Sequence, residues 1–152
     1  MKYKFTGETK CVCGVVLHRI QATESFGDVK AGDLGGWIEK EENLSQLGLA
    51  WVADEACVFD HACVFNDALV LDNAKVFDNA CVFGKACVSR HAQVYGDAQV
   101  FGNARVEGFA KVHGDTWVYE RASVYGFARV SGDTRLSGDA IVSSSASSDD
   151  TH

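Results

Sequence analysis

Basic and aromatic side chains recur at intervals of eighteen residues in the middle of the chain. The basic members are Lys75, Lys111 and Arg129, with the neutral Gln93 at the position between the two lysines. An aromatic series follows the same interval two places later, as Phe77, Tyr95 and His113. Aromatic rings stack on nucleobases and cations meet phosphates. The three basic residues and the three residues of the aromatic series therefore form a hypothetical site for an anionic ligand such as a nucleotide. The plainer alternative is a solvated face whose rings are covered by a neighbouring molecule.

A second aromatic series with the same spacing carries no basic partners. It consists of Phe65, Phe83, Phe101 and Tyr119. Four exposed rings in one line would make an apolar patch larger than a monomer usually shows. The series predicts self-association, and a crevice between subunits would then be a natural place for a ligand.

Acidic side chains form a third series at Asp97, Asp115 and Asp133. Carboxylates about 5 Å apart repel one another unless a cation or water relieves them. The series is compatible with solvated turn acids, or with a weak divalent-cation site.

The histidines show no catalytic constellation. Acyl transfer needs a general base, usually His, near the acceptor group. His61, His91 and His113 occupy different places in the pattern and do not converge. A metal site shared between subunits by three histidines is not favoured by this spacing. We therefore expect no catalytic residue and no cofactor, with an acyltransferase-like enzyme as the alternative.

These series belong to a six-residue repeat that runs without interruption from residue 50 to residue 145. Its sixteen units begin with Ala, replaced by Thr only at Thr116 and Thr134, and have Val at the third position, replaced by Leu only at Leu136. Residues two apart lie on the same side of a strand, so each unit predicts a short strand with these two side chains inside. The fifth and sixth positions are rich in Gly, Asp and Asn, which favour turns. A fixed short period of strand and turn predicts an all-β solenoid.

Six residues can form one side of a prism with three units per coil, so residues eighteen apart would stack. The pattern resembles the hexapeptide-repeat left-handed parallel β-helix, a triangular prism, and the repeat would make about 5 coils. This chain differs in placing Phe, Tyr or Ser after the aliphatic residue and Gly one place later. The resemblance implies a homotrimer.

Composition narrows the classes of partner. The formal net charge of −7 argues against general nucleic-acid binding, which needs a basic footprint. No apolar run approaches the length of a membrane span, and Met1–Phe5 has no signal-peptide core. The six cysteines are expected to be free thiols in a reducing cytoplasm.

The segments outside the repeat predict a cap and a tail. Within residues 1–49, Lys10–Ile20 predicts a strand, a Gly turn and a strand, and Phe26–Ile38 is Gly-rich and turn-like. A β-helix exposes a strand edge at its end, so residues 1–49 are expected to cover it. Residues 146–152 are polar and predict a disordered tail.

The cap carries a narrower resemblance. The sequences FGDVK at Phe26–Lys30, GDLGGWIE at Gly32–Glu39 and NLS at Asn43–Ser45, followed by Ala-x-Val units, are similar to the YdcK-like proteins common in phages and prophages. Members are described by fold, as transferases or polymer-forming proteins, and no catalytic residue carries over. The resemblance implies a phage-type, non-enzymatic binding protein in the host cytoplasm. It would counteract host defence by sequestering a nucleotide signal or by blocking a defence protein. A structural, polymer-forming element is a further alternative.

Overall fold

The computed structural model describes residues 1–144, so the predicted tail at 146–152 lies outside the described residues. The chain starts with an antiparallel hairpin of β1 (Tyr3–Val12) and β2 (Val15–Ala22). Then come β3 (Leu34–Ile38) and a 3-10 turn at Glu41–Asn43, the only helical element of the described chain. No helix in residues 1–144 could therefore span a bilayer.

Sixteen short strands follow, one in each repeat unit. They are β4 (Trp51–Val52), β5 (Cys57–Val58), β6 (Cys63–Val64), β7 (Leu69–Val70), β8 (Lys75–Val76), β9 (Cys81–Val82), β10 (Cys87–Val88), β11 (Gln93–Val94), β12 (Gln99–Val100), β13 (Arg105–Val106), β14 (Lys111–Val112), β15 (Trp117–Val118), β16 (Ser123–Gly126), β17 (Arg129–Val130), β18 (Arg135–Leu136) and β19 (Ile141–Ser144).

Every third strand joins the same parallel sheet, which confirms the predicted β-helix. The first face contains β3, β5, β8, β11, β14 and β17; the second contains β6, β9, β12, β15 and β18; the third contains β4, β7, β10, β13, β16 and β19. Partners within the repeat are eighteen residues apart, as Lys111 opposite Arg129 shows, whereas β3 pairs with β5 at a separation of twenty residues. Residues at the same position of successive coils therefore stack in rows along the prism.

The interior holds the Ala and Val positions of the repeat. Val100 and Val106 are fully buried, as are Ala98 and Ala104. The interior is close-packed, so a larger side chain at the first position would collide with its neighbours. The strict composition of the repeat follows from this narrow core.

The corners of the prism lie at the fifth position of each unit. The fifteen fifth positions from Asp54 to Gly138 have left-handed backbone with φ between 56° and 75°. Gly, Asp and Asn tolerate this conformation best. Asp has a second role there: Asp78 Oδ2 accepts the backbone N–H of Gly96 in the next coil at 3.0 Å. The displaced Gly of this repeat therefore marks the corner, and the large fourth residue lies between the end of the strand and the corner.

The N-terminal cap is a hairpin, as predicted, and it continues the first face. Val12 pairs with Val15 across a turn in which Cys13 and Gly14 have φ of 52° and 79°, the geometry of a tight hairpin. Strand β3 pairs antiparallel with β2 and parallel with β5.

One part of the cap prediction was wrong, because the second half of the Gly-rich Phe26–Ile38 segment is a strand. A Cβ on Gly35 would lie 2.6 Å from the Trp51 side chain, and one on Gly36 would lie 2.7 Å from the Ala56 carbonyl oxygen. These glycines thus serve close packing of β3 on the repeat and do not form a turn. Strand β3 pairs in parallel with β5, and Leu44 forms a parallel bridge with Val64. Parallel stacking therefore starts before residue 50, and the prism has about six coils.

Candidate ligand-binding face

From β8 to β17, the second positions of the repeat units on the first face form one row that is basic except at Gln93. Lys75, Gln93, Lys111 and Arg129 occupy consecutive coils in register; we call them the cation row. Lys75 and Lys111 are half-buried and Arg129 is exposed. Within residues 1–144 none of these three cations has an ion-pair partner or a side-chain hydrogen bond. Their charge is therefore available to an anion.

A stack of rings runs beside the cation row, as predicted. Phe59, Phe77, Tyr95 and His113 form this face row, with ring centroids 4.7–5.1 Å apart and planes within 5° of parallel. Because each ring covers its neighbour's face, the ring edges point away from the stack. The edges carry the positive side of the aromatic quadrupole, so they favour negative charge beside them.

The titratable members of the face row are neutral near pH 7. Burial, together with the charges of Arg129 and Lys111, lowers the pKa of His113. Burial also raises the pKa of Tyr95, against the influence of Arg129. The positive charge of this surface therefore resides on the cation row. The rings offer apolar contact, and the Tyr95 hydroxyl and the His113 ring nitrogens can form hydrogen bonds.

The hairpin limits this face at its N-terminal end. Phe59 and Cys57 are 2% exposed, and they pack with Leu17 and Trp37 in a small cluster of their own. The open surface consequently starts at Lys75 and Phe77 and extends to the last coils. All six residues that the sequence predicted for the site lie on this open part.

The structure adds a second aromatic row that the sequence analysis missed. His91, Phe109 and Phe127 stack at the corner between the third and first faces, with centroids 4.7 Å and 5.1 Å apart; we call them the corner row. They lie two residues before Gln93, Lys111 and Arg129 in the chain. Their eighteen-residue spacing is visible in the sequence, but its significance depends on the cation row that lies beside them in the fold.

The cation row and the corner row enclose a shallow groove of about 400 Å³, the row groove. Its walls also include Asn73, at the end of the groove nearer the N-terminal cap. Phe109 is 51% exposed, so its ring is accessible from the groove. The cation row thus has aromatic side chains on both sides.

A larger groove of about 1160 Å³ lies on the third face, beyond the corner row. Its lining has mixed charge. It includes the carboxylate of Glu107 and an ion pair in which Arg90 Nε lies 4.0 Å from Asp72 Oδ2. Burial raises the pKa of Cys87 in its floor, so that thiol is not activated as a nucleophile. His91 and Phe109 of the corner row also line this groove, but it lacks the unpaired cations of the first face.

The residues predicted for self-association form the expected stack on the second face. Phe65, Phe83, Phe101 and Tyr119 have centroids 4.8–5.0 Å apart, and Trp117 packs edge-on against Phe101. This second-face row is half-buried by its own stacking. Its role in assembly remains a prediction.

The acidic series and the histidines do not come together as a metal site. Asp97, Asp115 and Asp133 line one exposed corner. Within the described part of the chain, no group of three or more His, Cys, Asp or Glu side chains could hold a metal ion. His91 and His113 lie on opposite sides of the cation row, and His61 lies at another corner, where it borders a separate groove.

Comparison with known proteins finds similarity to part of the repeat. The family model "YdcK Beta solenoid repeat" matches residues 98–120. An "Uncharacterized acetyltransferase YdcK" of Escherichia coli (strain K12) is 43% identical over 44 residues, which is 29% of this chain and 14% of that protein. The matched region therefore spans about a seventh of the relative's length. These matches confirm the predicted resemblance for the repeat, whereas a phage origin remains a prediction.

Proposed function

Taking the chain as a YdcK-like β-solenoid protein, we propose that it is a non-catalytic binding protein whose first face takes up an anionic ligand of the nucleotide class. The observation that carries the proposal is the row of three unpaired cations between two stacks of aromatic rings. In the described residues the face offers no activated nucleophile, which favours binding over catalysis.

Calorimetry with a panel of linear and cyclic nucleotides tests the proposal. Lys111→Ala removes one charged hydrogen bond, which typically contributes about 1.5–3 kcal/mol, so affinity should fall roughly ten- to a hundredfold. Binding should also weaken as salt rises, because ions screen the exposed cations.

Lys85→Ala is the matched control, since it removes the same charge from an exposed corner outside this face. It should leave the affinity unchanged. The proposal fails if no nucleotide of the panel binds, or if Lys111→Ala binds as tightly as the parent.

For the biological role, we propose that the protein acts in the cytoplasm by sequestering a nucleotide signal of host defence. The resemblance to proteins common in phages supports this role. Native mass spectrometry of protein purified from signal-producing cells should show a bound nucleotide mass that Lys111→Ala loses. If the purified protein instead carries a host protein, blocking of a defence protein is the better account.

The second candidate is acetyl transfer, and the name of the Escherichia coli relative, an uncharacterized acetyltransferase, favours it. Acetyl-coenzyme A is itself an anionic nucleotide derivative, so it would suit the same face. His113 is the group that would act as general base, because its lowered pKa keeps it neutral near pH 7. Acetyl-coenzyme A turnover that is lost in His113→Gln, with binding retained, would establish this candidate over simple binding.

A further inference from the structure

We infer that the ligand is a nucleoside polyphosphate seated in the row groove, with its phosphates on Lys111 and Arg129 and its base beside Gln93 and Phe109. This inference rests on the proposed function and adds the position and class of the ligand. It also shifts the site from the predicted face row to the opposite side of the cation row.

The phosphate position follows from the closest pair of cations. Lys111 and Arg129 are in-register neighbours on β14 and β17, and neighbouring strands lie about 4.8 Å apart. Like charges in direct register destabilise each other unless an anion lies between them. The Arg129 guanidinium can hold one phosphate with two hydrogen bonds while Lys111 contacts the next. The pair therefore fits two linked phosphates better than a single charge.

The base position follows from the neutral member of the row. Gln93 lies between Lys75 and Lys111, where a site for a simple polyanion would have a third adjacent cation. Its amide carries both a donor and an acceptor, which suits the polar edge of a base. The described residues provide no hydrogen-bond partner for that amide. The Gln93 amide is thus free to bind a ligand one coil closer to the N-terminal cap than Lys111.

The corner row determines how the base would lie. Both faces of Phe109 are covered, by His91 on one side and Phe127 on the other, so only its edge reaches the groove. A base that meets this edge packs with its own face against it, in the edge-to-face arrangement that aromatic pairs favour. Gln93 and Phe109 both line the row groove, and the backbone N–H of Gln93 donates at 2.9 Å to the carbonyl oxygen of Ala110, the residue after Phe109. A base in the groove can therefore contact both side chains.

Binding of ADP and of inorganic pyrophosphate to a set of variants tests the inference. Gln93→Leu and Phe109→Ala should each weaken ADP binding about threefold to tenfold and leave pyrophosphate binding unchanged. Gln99→Leu is the matched control, because Gln99 occupies the same position of the unit on the second face. It should change neither affinity. Lys111→Ala should weaken both ligands.

Several results would overturn the inference while the proposed function stands. One is loss of ADP binding in Tyr95→Ala with Phe109→Ala unaffected, which would place the base on the face row. Another is ADP binding no tighter than pyrophosphate, which would mean that the base is not recognised. A third is binding of cyclic nucleotides alone. If no nucleotide of the panel binds, the inference and the proposed function both fail.

Discussion

At the scale of single residues, the repeat tolerates few exceptions, and each exception has a local consequence. Thr116 replaces the usual Ala at the first position and is fully buried. Its hydroxyl oxygen is the one buried side-chain polar atom in residues 1–144 without a hydrogen-bond partner. Thr134, one coil further, has the same substitution, but its hydroxyl donates to Ser131 O at 2.7 Å.

Thr116→Ala should therefore stabilise the protein. An unsatisfied buried polar group costs about 1–3 kcal/mol, and this exceeds the loss of one buried methyl group, about 0.8 kcal/mol. Urea denaturation should show an unfolding free energy about 1 kcal/mol higher. Thr134→Ala is the matched control: it removes a formed hydrogen bond that is exposed to solvent, so it should lower the free energy of unfolding by less than about 1 kcal/mol. Equal effects of the two substitutions would contradict this account.

At the scale of elements, the cap closes the first coil with polar side chains that the repeat lacks. Asn43 is fully buried; its side chain accepts the Lys40 N–H at 2.8 Å and donates to Ala62 O at 2.8 Å. Lys2 is 4% exposed and donates through Nζ to Ala50 O at 2.7 Å. Burial lowers the pKa of Lys2 to about 8, against the attraction of Asp67.

Lys2 gives the cap a dependence on pH. The folded protein releases the Lys2 proton near pH 8, whereas the unfolded chain keeps it to about 10.5. Between these values the unfolded state binds more protons, so the contribution of Lys2 to stability rises with pH. The melting temperature of the parent should therefore rise relative to that of Lys2→Met between pH 8 and 10.5.

The comparison with Lys2→Met is needed because other groups act in the opposite direction. Burial raises the pKa values of Tyr3, Cys57, Cys81 and Cys87, so their contributions fall as pH rises through this range. These groups are present in both proteins and cancel in the difference. A constant difference between the two melting temperatures across the range would show that Lys2 does not titrate as described.

The sequence predicted the repeat far better than the cap, for a physical reason. Ala and Val recur because one narrow core imposes the same constraint on every coil, and that constraint is visible in a single unit. Gly35, Gly36 and Asn43 serve contacts with residues on other coils, and nothing nearby in the chain reveals those partners. The corner row was only partly predictable: its regular spacing is visible in the sequence, but its place in a binding site depends on the cation row beside it. Likewise, the sequence could show that Thr116 faces inward, but only the structure shows that its hydroxyl has no partner.

At the scale of the whole molecule, the prism has three faces with different chemistry. The first is basic and aromatic, the third is mixed, and the second carries Phe65, Phe83, Phe101 and Tyr119 beside Trp117, which is 37% exposed. A continuous apolar patch of this kind usually marks a contact surface. We propose that the occupant is a second copy of the chain, as the predicted trimer requires.

Phe83→Glu combined with Phe101→Glu should reduce the mass measured by light scattering while leaving the circular dichroism spectrum unchanged. The substituted side chains point away from the core, so the effect should be on assembly and not on folding. Phe77→Glu combined with Tyr95→Glu places the same two charges on the first face and should leave the mass as in the parent. An unchanged mass for the second-face variant would rule out this interface.

The in-register stacking of the coils gives the repeat a frame of eighteen residues. A deletion or duplication of eighteen residues would remove or add one coil, and every row below it would remain on its own face. A change of six residues would preserve the alternation of Ala and Val inside, yet it would move each later row to the next face and separate Lys111 from Lys75. The core thus accepts any multiple of six, whereas a surface site accepts only multiples of eighteen. Changes of whole coils could therefore lengthen or shorten the cation row, and with it the ligand that fits, without redesign of any side chain.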